Sequence, residues 1–431
     1  MYTVKNRLIT AILLFSLSLL FISCPFLIES DPVYSSTQDP KARSETNYNA
    51  GVQWRREIFG SGVWYSPSII ADGYCYFPAG AIPGGGSNIV KIDLDNGRVL
   101  WESKRFLGNF RSIVNAGNYI FAYMNNIINR DGYVYVIDIN NGELAATVKL
   151  GETDTEARQN GLTSGNFTVT SSEYIFWGSA ASVSPASRGI RRLDTSDVDF
   201  DKDPNEVQII IPDLVWSDNS STITSNIIYD NGIIYFITWS GLLVAVDAET
   251  KAEKWRQNTP FQLTWSNSVL ALYDDKILAM DSKIISYNKN TGELILESDN
   301  LVNKPAAISL RFNLHNNILY YIDDDQTKVV SVNIDTLEII WTRDLREHYL
   351  QSYAGHHTYT SRPHIYNGKV FVTSNTGLRV YNADTGAFIG VNTSVNYSEN
   401  GSIMYNNKLL VLNYNHNNGY TSTFLTAVLC N

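Results

Sequence analysis

The side chains able to do chemistry in this chain are few and scattered. His356, His357 and His364 form the only cluster among six histidines. Neutral imidazoles bind transition metals, but no cysteine or carboxylate recurs beside these at ligand spacing, so polar residues on a loop are the plainer expectation. Asp197, Asp199, Asp201 and Asp203 alternate with other residues, and Glu206 follows. Calcium takes oxygen ligands spaced in this way, yet Lys202 stands where an EF-hand loop needs its turn glycine. A solvated acidic loop is expected there, with calcium as the second reading. The cysteines are Cys24, Cys75 and Cys430. Export would permit a Cys75–Cys430 disulfide, and two buried free thiols are the alternative.

Common catalytic signatures are missing. The chain has no Gly-x-Ser-x-Gly, His-Glu-x-x-His or Gly-x-x-x-x-Gly-Lys run. Gly84-Gly85-Gly86 lies between two expected strands with no helix after it, and reads as a loop. The formal net charge of −10 argues against general nucleic-acid binding, because phosphates demand positive charge. The remaining candidates are aromatic, Arg and His residues placed just before expected inner strands: Trp64, Tyr65, Arg111, Trp265, Arg311, His357 and Arg362. Aromatic and Arg side chains are enriched at protein–protein hot spots. The competing expectation is that these aromatics pack between sheets and the arginines pair with carboxylates.

What must position these residues is a repeat. Residues 243–255 read LVAVDAETKAEKW: an alternating strand, a terminal Asp, a polar turn, and a second strand ending on Trp255. Related phrases occupy 89–101, 134–146, 284–296, 329–341 and 378–390. A degenerate copy starts at Gly189 and resumes at Leu214-Val215-Trp216 after an insertion. The strand-ending residues are Asp93, Asp138, Asp194, Asp247, Asn288, Asn333 and Asn382, spaced 41 to 56 residues apart. A carboxylate or amide there can accept turn N–H groups. A period of that length with several strands is the signature of a propeller blade. Eight hairpin signals precede or follow these phrases, among them 67–77, 225–236 and 363–372, with Asp-Gly or Asn-Gly turns between β-branched or aromatic runs. The expected fold is all-β: an eight-bladed propeller of four-stranded antiparallel blades. Its last blade lacks an outer strand, and the orphan strand 52–58, carrying Gln53-Trp54-Arg55, should supply it and close the ring.

The first residues read as a targeting signal. Lys5 and Arg7 precede a short apolar run, Ala11 to Ile22, which ends on Ser23-Cys24. Phe21-Ile22-Ser23-Cys24 resembles a bacterial lipobox, with Phe where Leu is usual. That resemblance implies cleavage before Cys24, lipidation of Cys24 and a membrane anchor that does not span. Removing Lys5 and Arg7 takes the net charge from −10 to −12. The expected layout is signal 1–23, lipidated Cys24 and flexible tether 24–50, and propeller 51–431.

The repeat itself, an apolar strand, Asp, a turn with Thr-Gly or Asn-Gly (291–292, 385–386, 96–97, 141–142) and then Trp, resembles the pyrroloquinoline-quinone-type (PQQ-like) propeller repeat. Two branches of that family matter: the quinoprotein alcohol dehydrogenases, and the non-enzymatic lipoprotein of the outer-membrane β-barrel assembly machinery. The enzymes carry an adjacent cysteine pair, a calcium site and a catalytic aspartate. This chain has no Cys-Cys and no Cys-x-x-Cys-His. The expectation is therefore a lipid-anchored, extracytoplasmic binding scaffold without resident cofactor. It would be a monomeric propeller with an envelope protein as partner, on the outer membrane in preference to the inner. The alternatives are a periplasmic quinoprotein-type oxidoreductase or a propeller that binds a small ligand or glycan.

Overall fold

In a computed structural model the described residues are 51–58, 69–80, 86–106, 108–125, 132–161, 168–170, 173–178, 188–218, 222–261, 269–299, 312–323, 325–345, 360–374, 377–393, 395, 402–417 and 420–430. They build eight sheets, seven of four strands and one of five, each joined to the next along the chain. This is an eight-bladed β-propeller. Blade 4 shows the plan: Ile228–Asp230, Ile233–Ile237, Leu242–Asp247 and Glu253–Asn258, paired in that order and antiparallel. The other blades begin at Ile69–Ala71, Asn109–Ala116, Thr168–Thr170, Val269–Tyr273, Phe312–His315, His364–Tyr366 and Ser402–Tyr405. First strands touch one another between blades 1 and 2, 2 and 3, 3 and 4, 4 and 5, and 6 and 7, which puts them on the axis side.

Burial follows from this stacking. Leu243, Val244, Ala245 and Val246 of the third strand are all buried, because a blade on each side covers both faces. The outer strand of the same blade is exposed or half-buried throughout. The core is accordingly divided into clusters lying between blades.

All seven strand-ending Asp or Asn side chains accept a turn N–H two residues on, at 2.7 to 3.1 Å. The turn then receives the tryptophan of the preceding blade. Trp341, at the end of blade 6's phrase, donates its indole N–H to Ala383 O of blade 7 at 2.8 Å. Its ring lies on Gly386, where an added Cβ would sit 2.6 Å from Cδ2. Gly386 also has φ +66°, a conformation that penalises every L side chain. The same indole-to-carbonyl bond and glycine contact recur for Trp54, Trp101 and Trp255 on the turns of blades 1, 2 and 5.

Where the tryptophan is missing, the turn changes with it. Blade 5 has Leu296 at the phrase end, and blade 6 answers with buried Leu337 at φ 56° in place of glycine; both lie in one apolar cluster. Blade 3 departs further. The expected resumption at Leu214-Val215-Trp216 does form its outer strand, Asp213–Trp216, but Asp213 occupies the pairing position that Trp255 holds in blade 4. Arg192, held by Asp213 at 2.7 Å, donates to Ala248 O, the carbonyl equivalent to those served by indoles elsewhere. Trp216 bonds Glu253 Oε2 instead.

The insertion in blade 3 does something the sequence does not announce. Val207–Ile209 pairs in parallel with Leu144–Lys149, the outer strand of blade 2, and becomes that blade's fifth strand. Ile210 N donates to Lys149 O, Thr147 Oγ1 to Pro204 O, and Phe200 stacks on Tyr119 at 4.1 Å. A short helix, Asp154–Asn160, leads from blade 2 to blade 3. A Thr153/Glu156 capping box satisfies backbone N–H groups at its start.

The strand Val52–Ile58 pairs antiparallel with Tyr420–Leu429 and is the outer strand of blade 8. Cys75 and Cys430 are both buried thiols outside any disulfide, in separate clusters. Burial pushes the Cys430 thiol up to about 12. Among the described residues no helix is long and apolar enough to cross a membrane.

Candidate functional site

The site is built on the axis-facing strands of blades 6, 7 and 8. Ahead of blade 7's first strand the backbone is tied down by Ser361. Its N–H donates to Thr373 O, its hydroxyl donates to Arg362 O, and the same hydroxyl accepts from Thr373 N. Pro363 follows, with no N–H to satisfy and a fixed φ. This clamp sets the origin of the Arg362 side chain. One strand earlier in the ring, Asn313 Nδ2 reaches Pro363 O at 3.2 Å. One strand later, His364 Nε2 meets Ser402 Oγ at 2.8 Å. The three blades border an open cleft of about 380 Å³ lined by Phe312, Asn313, Leu314, Arg362, His364 and Met404.

The electrostatics of this cleft are unusual. His364 is 1% exposed, and burial first, with the Arg362 charge second, holds its imidazole well below the ordinary histidine range. The ring is therefore neutral at pH 7, and its Nε2 is engaged with serine. Arg362 is half-buried and lines the cleft, and desolvation pulls its pKa down. Among the described residues no carboxylate pairs with it.

Of the candidate binding face, Arg362 is the member whose side chain can be placed. Arg111 lies in the first strand of blade 2, at a register shift between Phe110 and Ser112. Trp64, Tyr65, Trp265, Arg311 and His357 lie outside the described residues, as do Cys24 and His356. His364 is described, and it serves a junction between blades.

The acidic run folds on itself. Asp199 Oδ1 accepts from Asp201 N, and Asp203 Oδ1 accepts from Asn205 N and Nδ2. Glu206 N donates to Asp203 O. Asp197 ends a short 3-10 turn, and burial together with Asp194 and Asp213 raises its pKa. Among the described residues no three His, Cys, Asp or Glu side chains gather to hold a metal ion. The residues also do not fit a quinone site of the dehydrogenase kind: no two cysteines are adjacent, and Cys75 and Cys430 are separately buried. Phe312, Asn313, Leu314 and Met404 were invisible as site residues in the sequence, because nothing in their types or spacing sets them apart from other first-strand residues.

Comparison with known proteins gives three results. A family model described as outer membrane protein assembly factor BamB matches residues 212–419. No curated protein sequence matches. Solved structures match over most of the chain at low identity. Quinohemoprotein alcohol dehydrogenase from Comamonas testosteroni has a TM-score of 0.59 and 12% identity, covering 88% of this chain and 76% of its own. The designed Ika8 protein has 0.57 and 14%, covering 86% and 98%. BamB from Moraxella catarrhalis has 0.50 and 15%, covering 79% and 85%. At these identities the structures speak for the fold, which enzyme, assembly factor and design share. The blade architecture makes this chain an eight-bladed β-propeller, and its residues 212–419 resemble the family described as outer membrane protein assembly factor BamB.

Proposed function

We propose that the chain is a lipid-anchored scaffold of the bacterial cell envelope that binds a protein partner during outer-membrane protein assembly. The observation that carries this reading is the match of residues 212–419 to the outer-membrane assembly-factor model. The signal-like segment ending on Cys24 supports it, because a lipid on that residue would hold the propeller at a membrane surface through a tether. Among the described residues no three metal-ligating side chains gather, and the Ser402–His364 hydroxyl–imidazole contact is buried between blades 7 and 8.

The test is co-purification from gently solubilised envelope with the wild-type chain and Cys24→Ser. The scaffold reading expects a stoichiometric envelope partner with the wild type. It also expects release of Cys24→Ser from the membrane fraction, or an uncleaved precursor. Recovery of the propeller alone, at every detergent concentration that preserves it, would refute the role. Dye-linked dehydrogenase activity after incubation with quinone and calcium would replace it with the oxidoreductase reading.

A further inference from the structure

We propose that the cleft between the first strands of blades 6, 7 and 8 binds a single carboxylate carried on an apolar body, with Arg362 as the anion anchor. This goes beyond the scaffold role and does not depend on it.

Three observations lead there. The first is an unbalanced charge. Arg362 opens on the cleft, and no carboxylate among the described residues neutralises it. A desolvated guanidinium is costly unless something of opposite charge completes it, and its planar fork suits a carboxylate bidentately. The second is the count of positive charges. His364 also lines the cleft, but it stays neutral and its Nε2 is committed to Ser402 Oγ. The described lining thus offers one positive charge, which matches a monoanion better than a phosphate dianion. The third is the wall chemistry. Phe312, Leu314 and Met404 supply apolar surface, and Asn313 a polar edge. A volume of about 380 Å³ lies at the small end of ligand pockets, fitting one to two side chains. A carboxylate on a leucine-sized body satisfies all three. It could arrive as a free acid or as the last residue of a polypeptide.

Isothermal titration of the full propeller with N-acetyl-leucine and with N-acetyl-leucinamide tests the charge requirement. The acid should bind at least about tenfold more tightly than the amide, as expected for a charged hydrogen-bonded contact. Arg362→Gln should abolish that preference, and Arg362→Lys should restore part of it. Arg362→Gln should also melt at the same temperature as the wild type or higher, because it removes a desolvated, uncompensated charge. If Arg362→Gln fails to fold, Met404→Trp blocks the cleft without touching the guanidinium, and should weaken the acid equally. A hexapeptide ending in leucine, with a free or amidated terminus, separates the two sources: tighter binding than N-acetyl-leucine points to a chain end, weaker binding to a free acid. Equal binding of acid and amide, or unchanged binding in both variants, overturns the proposal. So does the absence of any heat with the acid at millimolar concentration.

Discussion

Two junctions of the ring are fastened by different physics. Between blades 6 and 7 the outer fastening is made by side chains on one turn: Trp341 packed on Gly386 and bonded to Ala383 O, with Arg343 donating to Gly386 O and Thr385 O. Between blades 2 and 3 the phrase-end residue is Ala146, which offers the next turn no indole. There the backbone takes over. The strand Val207–Ile209 crosses back to pair with Leu144–Lys149, and Phe200 lies on Tyr119. The first kind of lock concentrates its energy in a fitted pair of residues, and where the indole is absent the glycine is absent too: Leu296 packs with Leu337, and Arg192 serves the turn that carries Lys251 at φ 62°. The second spreads its energy over a ladder and tolerates individual side chains. A propeller can therefore lose its repeat signature at one junction and keep its geometry there.

The largest test of this contrast is at the junction between blades 8 and 1. Trp54 belongs to the strand that completes blade 8, and it also locks onto Leu94 O and Gly97 of blade 1. Deleting residues 51–58 removes both kinds of fastening at once. Thermal unfolding should move down by about 10 °C or more, whereas deleting 26–45 should leave it in place. Equal melting of the two deletions would show that the ring is held another way.

Within a single lock, Trp341→Ala should cost about 3–5 kcal/mol in denaturant unfolding. Gly386→Ala should cost a similar amount, because its Cβ meets the indole and its φ is strained. The double variant should cost clearly less than the two together, since the indole that the new methyl strikes is gone. Strict additivity would mean that Trp and Gly are independent.

The backbone-fastened junction should respond locally. Ile210→Pro deletes the amide that donates to Lys149 O, at a cost on the order of 2 kcal/mol. Hydrogen exchange should accelerate in 144–149 and 207–209 and stay unchanged in blades 5 to 8. Uniform acceleration around the ring would contradict a spread, local fastening.

The smallest effect concerns the junction between blades 7 and 8, where Gly390 occupies the phrase end and the His364–Ser402 bond sits at the inner side. His364 is held neutral in the fold, whereas the unfolded chain titrates near 6.5. The unfolded state thus binds the extra proton first. The fold keeps its full stability above about pH 6.5 and loses about 1.4 kcal/mol per pH unit below it, until the depressed folded value is reached. Urea unfolding at pH 7.5 and 5.5 should show this loss in the wild type and a smaller one in His364→Asn. Identical pH dependence in both proteins would place the acid sensitivity elsewhere.

Fold and site were unequally legible. The hairpins, the Asx turns and the Trp positions could be read because each rests on local chemistry: a turn residue, a short side chain bonding two residues on, a large apolar group at a fixed offset. The insertion strand could not. Val207–Ile209 has neither a hairpin turn nor a sequence neighbour to pair with, and its partner is a parallel strand some sixty residues earlier. Arg192 was equally hidden, since replacing an indole by a guanidinium keeps only the hydrogen bond. Arg362 was singled out by its place before a first strand. The cleft around it comes from three blades, and a repeat pattern says which residues are equivalent, not which differences converge.

The pairing of Val52–Ile58 with Tyr420–Leu429 also sets a timetable. The first of these strands comes before blade 1 in the chain and the second after blade 7, with those seven blades made between them. Blades 1 to 7 can assemble from contacts close in sequence as each hairpin emerges. Blade 8 must wait for Tyr420–Leu429, and until then the early strand has no partner and its backbone donors stay open. The slowest event in folding should accordingly be this final docking, and anything that protects a nascent chain should act longest on its first strand.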